Sequence, residues 1–234
     1  MADTDEASIA FAQEANAAKA DIQRTIDTLS PLLRELEYTE ESRLLLQFTK
    51  EFSAYRELDQ RILDLAVENT NLKAQRLSFG TAFEAADAFS KALERLASRQ
   101  ASDTWQVKAL VATAVGAVRE IQALHAPHIA EPTESAMVHF EQRMFRAEEA
   151  ARGALAALAP LVDGPSRPRL VEATAALDHF ITQTHQITQL SRRNTNVRSL
   201  ALSLTDKRNV TIACEKSLHE LRNALAKRSL TGMR

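Results

Sequence analysis

Residues 68–78 read ENTNLKAQRLS and residues 192–203 read RRNTNVRSLALS. Asn-Thr-Asn thus occurs twice, each time inside a stretch with the apolar spacing of a long helix. Asn and Thr suit helix interiors poorly, because their side chains compete for backbone hydrogen bonds. The repeat needs a physical reason, and the fold is read outward from it.

Apolar residues recur at spacings of three and four on both sides of each motif. Around the first, the stripe is Leu45, Phe48, Phe52, Tyr55, Leu58, Ile62, Leu65, Asn69, Leu72, Arg76, Phe79, Phe83, Ala86, Phe89, Leu93 and Leu96. No Pro interrupts it, and Gly80 alone is a weak breaker. This predicts one continuous helix over 41–99, roughly 90 Å long at 1.5 Å per residue. Around the second motif the stripe runs from Ala173 through Phe180, Ile187, Asn194, Val197, Leu204 and Leu218 to Leu225. Shorter segments are predicted through Ile22–Leu36, Val107–Ile121 and Met137–Leu158. Pro31 is expected to kink or interrupt the first of them. Turns are expected near Glu37–Ser42, Ala101–Thr104, His125–Thr133 and Asp163–Pro168.

An offset of 125 residues carries Asn69 onto Asn194. It also aligns Tyr55 with Phe180, Ile62 with Ile187, Leu65 with Leu190, Ser78 with Ser203 and Leu93 with Leu218. This reads as an internal duplication, with repeat units of about 1–105 and 126–234 in a single all-helical domain. The expected fold is all-α: an elongated antiparallel helical bundle in which two long helices are shared by two stacked four-helix modules. The first of these modules is one helix short.

The composition agrees with that class. Of 234 residues, 45% are hydrophobic and only 5% aromatic, with five Gly and six Pro, which favours helices packed through Leu, Ala, Val and Ile. A net charge of −2 gives no footprint for nucleic acid. The single Cys214 excludes an intrachain disulfide framework. No apolar run reaches a membrane span, and MADTDEAS is not a signal peptide.

Residues 41–96, ESRLLLQFTKEFSAYRELDQRILDLAVENTNLKAQRLSFGTAFEAADAFSKALERL, resemble the later helices of the four-helix-bundle sensor domain of bacterial methyl-accepting chemotaxis receptors. Phe48 and Phe52 precede Tyr55, an apolar run follows, and the small-residue step Ala74, Leu77, Ser78, Gly80 leads into another amphipathic helix. Residues 177–221 repeat that scheme more loosely. The duplicated form is similar to the helical bimodular variant of these domains. The resemblance implies a periplasmic ligand-sensing domain of an inner-membrane chemoreceptor or sensor kinase, with membrane spans flanking this chain. It implies a homodimer that binds a small molecule and is not an enzyme.

Asn69, Asn194 and Arg76 fall on the apolar stripes. A buried amide without partners costs about 1–3 kcal/mol, so each must be paired, hydrated or bound. One reading is a register device, in which a core Asn fixes helix alignment. The other is a polar layer that holds a small organic acid, with Asn69, Lys73 and Arg76 forming one half and Arg193, Asn194 and Arg198 the other. A planar Arg fork with neutral amide donors suits a carboxylate. No catalytic residue, metal cluster or cofactor motif stands out. His125, His128, His179 and His185 read as ordinary surface or partly buried histidines. Glu40–Glu41 and Glu148–Glu149 read as solvated faces, and Trp105 as packing a bundle end. The rival function is a structural, scaffolding helical bundle without a small ligand.

Overall fold

The computed structural model describes residues 4–99 and 105–231, and the turn expected at Ala101–Thr104 lies outside the described residues. Among the described residues all regular structure is helical. The helices are α1 (Asp5–Glu35), α2 (Thr39–Glu68), α3 (Thr70–Phe79), α4 (Thr81–Arg99), α5 (Trp105–Ala130) and α6 (Glu134–Leu158). A 3-10 turn (Gly164–Ser166) precedes α7 (Arg167–Arg193), and then come α8 (Thr195–Leu202), a π-turn (Ser203–Lys207) and α9 (Arg208–Thr231).

The long helices are not continuous. Asn69 has φ 56°, ψ 40° and ends α2; Asn194 has φ 51°, ψ 38° and ends α7. Both are left-handed, a conformation that costs most L-residues roughly 1–2 kcal/mol and that Asn tolerates through local hydrogen bonding. The sequence pattern missed the break because Asn stops a helix here without help from Gly or Pro. Two compact units result, residues 1–69 with 195–234, and residues 70–194. The chain passes between them only at Asn69–Thr70 and Asn194–Thr195.

The first unit is built from α1, α2 and the α8–α9 arm, with α2 packed against both of the others. Thr4 caps α1, its hydroxyl accepting from the Ala7 N–H at 3.1 Å, and Asp5 and Glu6 complement the dipole in the first turn. The helix spans 31 residues and runs through Pro31 to Glu35, rather than stopping there. A tight hairpin at 36–38 follows, with Glu37 left-handed at φ 57°. The core holds Ile26, Leu33, Leu44, Leu45, Phe48, Phe52 and Leu221. Phe48, Phe52 and Tyr55 stack at successive centroid distances of 5.8 and 6.0 Å.

The second unit is a four-helix bundle of α3–α4, α5, α6 and α7. The apolar residues spaced by three and four on α5 and α6 are buried, Val107, Val111, Ala114, Val118 and Ile121, then Met137, Met144, Ala151, Leu155 and Leu158, with Phe140 of the same stripe half-buried. Phe89, Leu93, Leu96, Leu177, Phe180 and Ile187 complete the core. The stripe fails after Asn69 and around Gly80, where Arg76, Phe79 and Phe83 are exposed. Gly80 separates α3 from α4; a Cβ there would stand 2.8 Å from the Arg76 carbonyl oxygen. α5 continues through Pro127 to Ala130, so the expected 125–133 turn shrinks to residues 131–133. Trp105 is exposed rather than packed.

The left-handed geometry makes a direct prediction. Asn69→Ala and Asn194→Ala should each lower stability by about 2–4 kcal/mol, combining backbone strain with lost buried hydrogen bonds. The Gly variants, which relieve the strain, should recover roughly 1 kcal/mol of that in denaturant titration. Equal losses for Ala and Gly would show that the backbone conformation contributes nothing.

Candidate functional sites

The asparagines form one amide pair in each unit. In the first unit Asn69 is fully buried; its Nδ2 donates to Asp5 Oδ1 at 2.8 Å, and its Oδ1 accepts from Asn196 Nδ2 at 2.5 Å. In the second unit Asn194 accepts from Asn71 Nδ2 at 2.8 Å and donates to the Glu131 carbonyl at 2.8 Å. Asn71 also donates to the Ile129 carbonyl. The first Asn of each motif therefore pairs with the third Asn of the other. These bonds satisfy the buried amides with protein groups, and α7 is tied to the end of α5.

The cations chosen from the sequence are more dispersed. Asn69 and Arg198 belong to the first unit; Lys73, Arg76, Arg193 and Asn194 belong to the second. Arg76, Arg193 and Arg198 are exposed and Lys73 is half-buried. Arg76 therefore leaves the apolar stripe on which the uninterrupted period placed it.

Charges that the sequence reading passed over are buried in the first unit. Asp59, 1% exposed, accepts from Lys19 Nζ and Lys207 Nζ, both at 2.6 Å. Burial disfavours the Asp59 carboxylate, but the two lysine hydrogen bonds outweigh it and hold its carboxyl below the usual range. Lys207 lies in the π-turn, its Nζ 5.3 Å from the Tyr55 ring centroid. At the other end Glu41 is buried against Arg228 at 2.6 Å, so it is not part of a solvated face. Phase could have found these ions. Asp59 continues the Phe52, Tyr55 spacing, and Lys19, Ile26 and Leu33 recur every seven residues on one face of α1.

The second unit has a polar layer inside its bundle. His125 and His128, expected at the surface or partly buried, are 1% and 0% exposed. His125 Nδ1 meets Ser78 Oγ at 3.2 Å, its Nε2 meets Thr184 Oγ1 at 3.1 Å, and its ring stacks on Phe180. His128 Nδ1 meets Ser191 Oγ at 2.8 Å, and its Nε2 meets Glu141 Oε1 at 2.9 Å. Glu141 also takes a two-pronged contact from Arg192 at 2.6 and 2.7 Å. That fork is the main reason its carboxyl lies below the usual range, against burial and with help from His128. His179 and His185 are exposed. Among the described residues no group of His, Cys, Asp or Glu is placed to hold a metal ion.

Open to solvent on the same unit, a groove of about 500 Å³ runs between α5 and α6. Ala117, Ala147 and Ala150 form its small-residue floor, and Arg143 and Arg146 supply positive charge beside His139. Arg143 is paired with Glu120 at 2.9 Å. Arg146 has no ion pair among the described residues.

Compared with known families, residues 2–110 match the four helix bundle sensory module for signal transduction. The match covers α1 to α4 and enters α5. A search among curated proteins returns no match. No helix of the described residues is long and apolar enough to cross a membrane.

The buried imidazole generates a pH prediction. Burial, with a smaller contribution from His128, pushes His125 down from 6.5 to about 4. The unfolded chain then binds the proton more readily than the folded one between those values. Stability should fall as pH drops from about 6.5 to about 4, by about 3 kcal/mol in all. The depressed carboxyls of Asp59 and Glu141 add their own loss from the ordinary carboxylate range downward, so the slope above about pH 5 belongs to the imidazole. Urea titrations across this range should show the slope in the wild type and a flatter profile in His125→Gln.

Proposed function

We propose that this chain, a sensory module of the four-helix-bundle type over residues 2–110, is the ligand-sensing domain of a transmembrane chemoreceptor or sensor kinase. In this reading it stands on the periplasmic side of the inner membrane, joined to spans outside this sequence, and detects a small organic acid. The α5–α6 groove supports the ligand class. Its one unpaired guanidinium, Arg146, lies beside Arg143 and His139 over a floor of small side chains. Such a surface attracts a carboxylate and leaves room for its carbon skeleton. A ligand that bridges α5 and α6 favours one packing of the bundle over another. The shift leaves along the chain through α7, the Asn194 turn and α8 into α9, whose last residues lead toward the membrane.

The module works as a homodimer. Among the described residues the first unit has three helical arms, and its α1 carries Ile22 and Leu32 exposed on one side. Leu218 of α9 is exposed as well. A second copy of the chain covers these side chains.

Thermal shift with a panel of mono- and dicarboxylic acids tests the ligand. An acid at a hundred times its dissociation constant should add about 2.7 kcal/mol of stability. Arg146→Ala should remove the response, and Arg76→Ala should leave it intact. The reverse result would move the acid to the group chosen from the sequence, and no response to any acid would favour the scaffolding reading. Sedimentation should show concentration-dependent dimers that Leu32→Asp weakens; a strict monomer would refute the second copy.

A further inference from the structure

We infer that the first unit holds a second small-molecule site, in the cleft between α1, α2 and α8, which takes a primary ammonium group on a short apolar body. The inference does not rest on the organic-acid reading and concerns other residues.

The cleft has a volume of about 200 Å³, the share of roughly seven waters in the liquid. Phe11 from α1, Leu63 and Ala66 from α2 and Leu200 from α8 give it apolar walls. Phe11 is 61% exposed and Leu200 42% exposed, so an occupant would remove apolar surface from water. Its polar groups are Ser8, Asn196, Ser199 and Ser203, and no charged side chain lines it.

Donor accounting sets the chemistry. A serine hydroxyl has one proton to give and two lone pairs to offer. Ser8 gives its proton to the Thr4 carbonyl at 3.2 Å, Ser199 to the Ile62 carbonyl at 3.2 Å, and Ser203 to the Ser199 carbonyl at 2.8 Å. Asn196 turns its Nδ2 to Asn69 at 2.5 Å. Three hydroxyl oxygens are thereby left as acceptors. A carboxylate brings only lone pairs and would meet lone pairs. A primary ammonium brings three donors, as many as there are serine oxygens along the cleft, and an alkyl chain for its walls. Ser8 and Ser199 are each 8% exposed, so the acceptors are shielded enough for the match to count.

The position of the cleft gives occupancy a consequence. Ser203 opens the π-turn that leads into α9, and Ser199 is one turn earlier. π-turns inside helices recur at functional sites. An ammonium held by Ser199 and Ser203 and by Ser8 of α1 ties α1 to the start of that turn.

Isothermal calorimetry on the whole chain with n-pentylammonium, n-pentanol and pentanoate is the test. Pentylammonium should bind, pentanol at least tenfold more weakly, and pentanoate not at all. Ser199→Ala and Ser203→Ala should each weaken pentylammonium about tenfold or more, as expected for a lost hydrogen bond to a charged group. Ala66→Phe should abolish binding by filling the cleft, with helicity checked by circular dichroism. The two serine variants keep the side-chain volume and serve if the Phe variant does not fold. Arg146→Ala should leave pentylammonium binding unchanged, which separates this site from the acid groove. Binding of pentanoate or pentanol as tight as the amine, no amine binding, or amine binding indifferent to both serine variants would each overturn the inference.

Discussion

A left-handed backbone at two asparagines is the constraint on which this architecture depends. At Asn69 and Asn194 the chain leaves one helix and starts another within a single residue. A helix that ends in mid-protein exposes unpaired carbonyls and, at the next start, unpaired amides. Asn meets this need better than Gly would, because it accepts the left-handed angles and also carries a side chain with two polar ends. Both ends are used in the buried amide pairs, Asn69 with Asn196 and Asn194 with Asn71. The first Asn of each motif turns the chain and the third receives its partner, which explains why the motif has two asparagines and occurs twice.

Polar burial continues away from the breaks, and its character differs between the units. The first unit buries ions, with Asp59 held between Lys19 and Lys207 and with Glu41 against Arg228. Such groups add little net stability but penalise any register in which a charge loses its partner. The second unit buries hydroxyl and imidazole groups, His125, Thr184, Ser191 and His128, beside a dense apolar core. Its alanines at 74, 82, 92, 114, 151, 154 and 173 bring helix backbones close together. Specific hydrogen bonds across those contacts then decide which helix rotations are allowed.

Much of this was legible in the sequence, and the failures have a common cause. The helical class, the stripes of α5 and α6 and the stripe of α4 from Ala86 onward followed from spacing alone. Arg76, Phe79 and Phe83 were misplaced because periodicity was carried through two breaks. An Asn on the apolar stripe gives the same sequence signal whether it sits inside a helix or ends one. The buried ions were passed over because charged residues were read by type, although Asp59 and Lys19 lie in phase with the core. The buried histidines were missed for a different reason: Pro127 between them suggested a turn, whereas α5 accommodates it near its end.

The offset that aligns Asn69 with Asn194 also aligns Gly80 with Thr205, inside the π-turn. Both arms are therefore irregular at two matching places, once by a left-handed asparagine and once by a local defect about ten residues later. The defects differ in kind. At Gly80 the problem is crowding, since a side chain would collide with the Arg76 carbonyl. At Ser203–Lys207 the helix widens, and the last residue of the widened turn reaches Asp59. The widened turn is held by side chains, through Ser203 on the Ser199 carbonyl, Thr205 on the Ala201 carbonyl and Lys207 on Asp59, rather than by a backbone contact. Of the two arms, the one ending in α9 thus carries a defect that widens the helix, whereas the other carries one that a missing side chain makes possible.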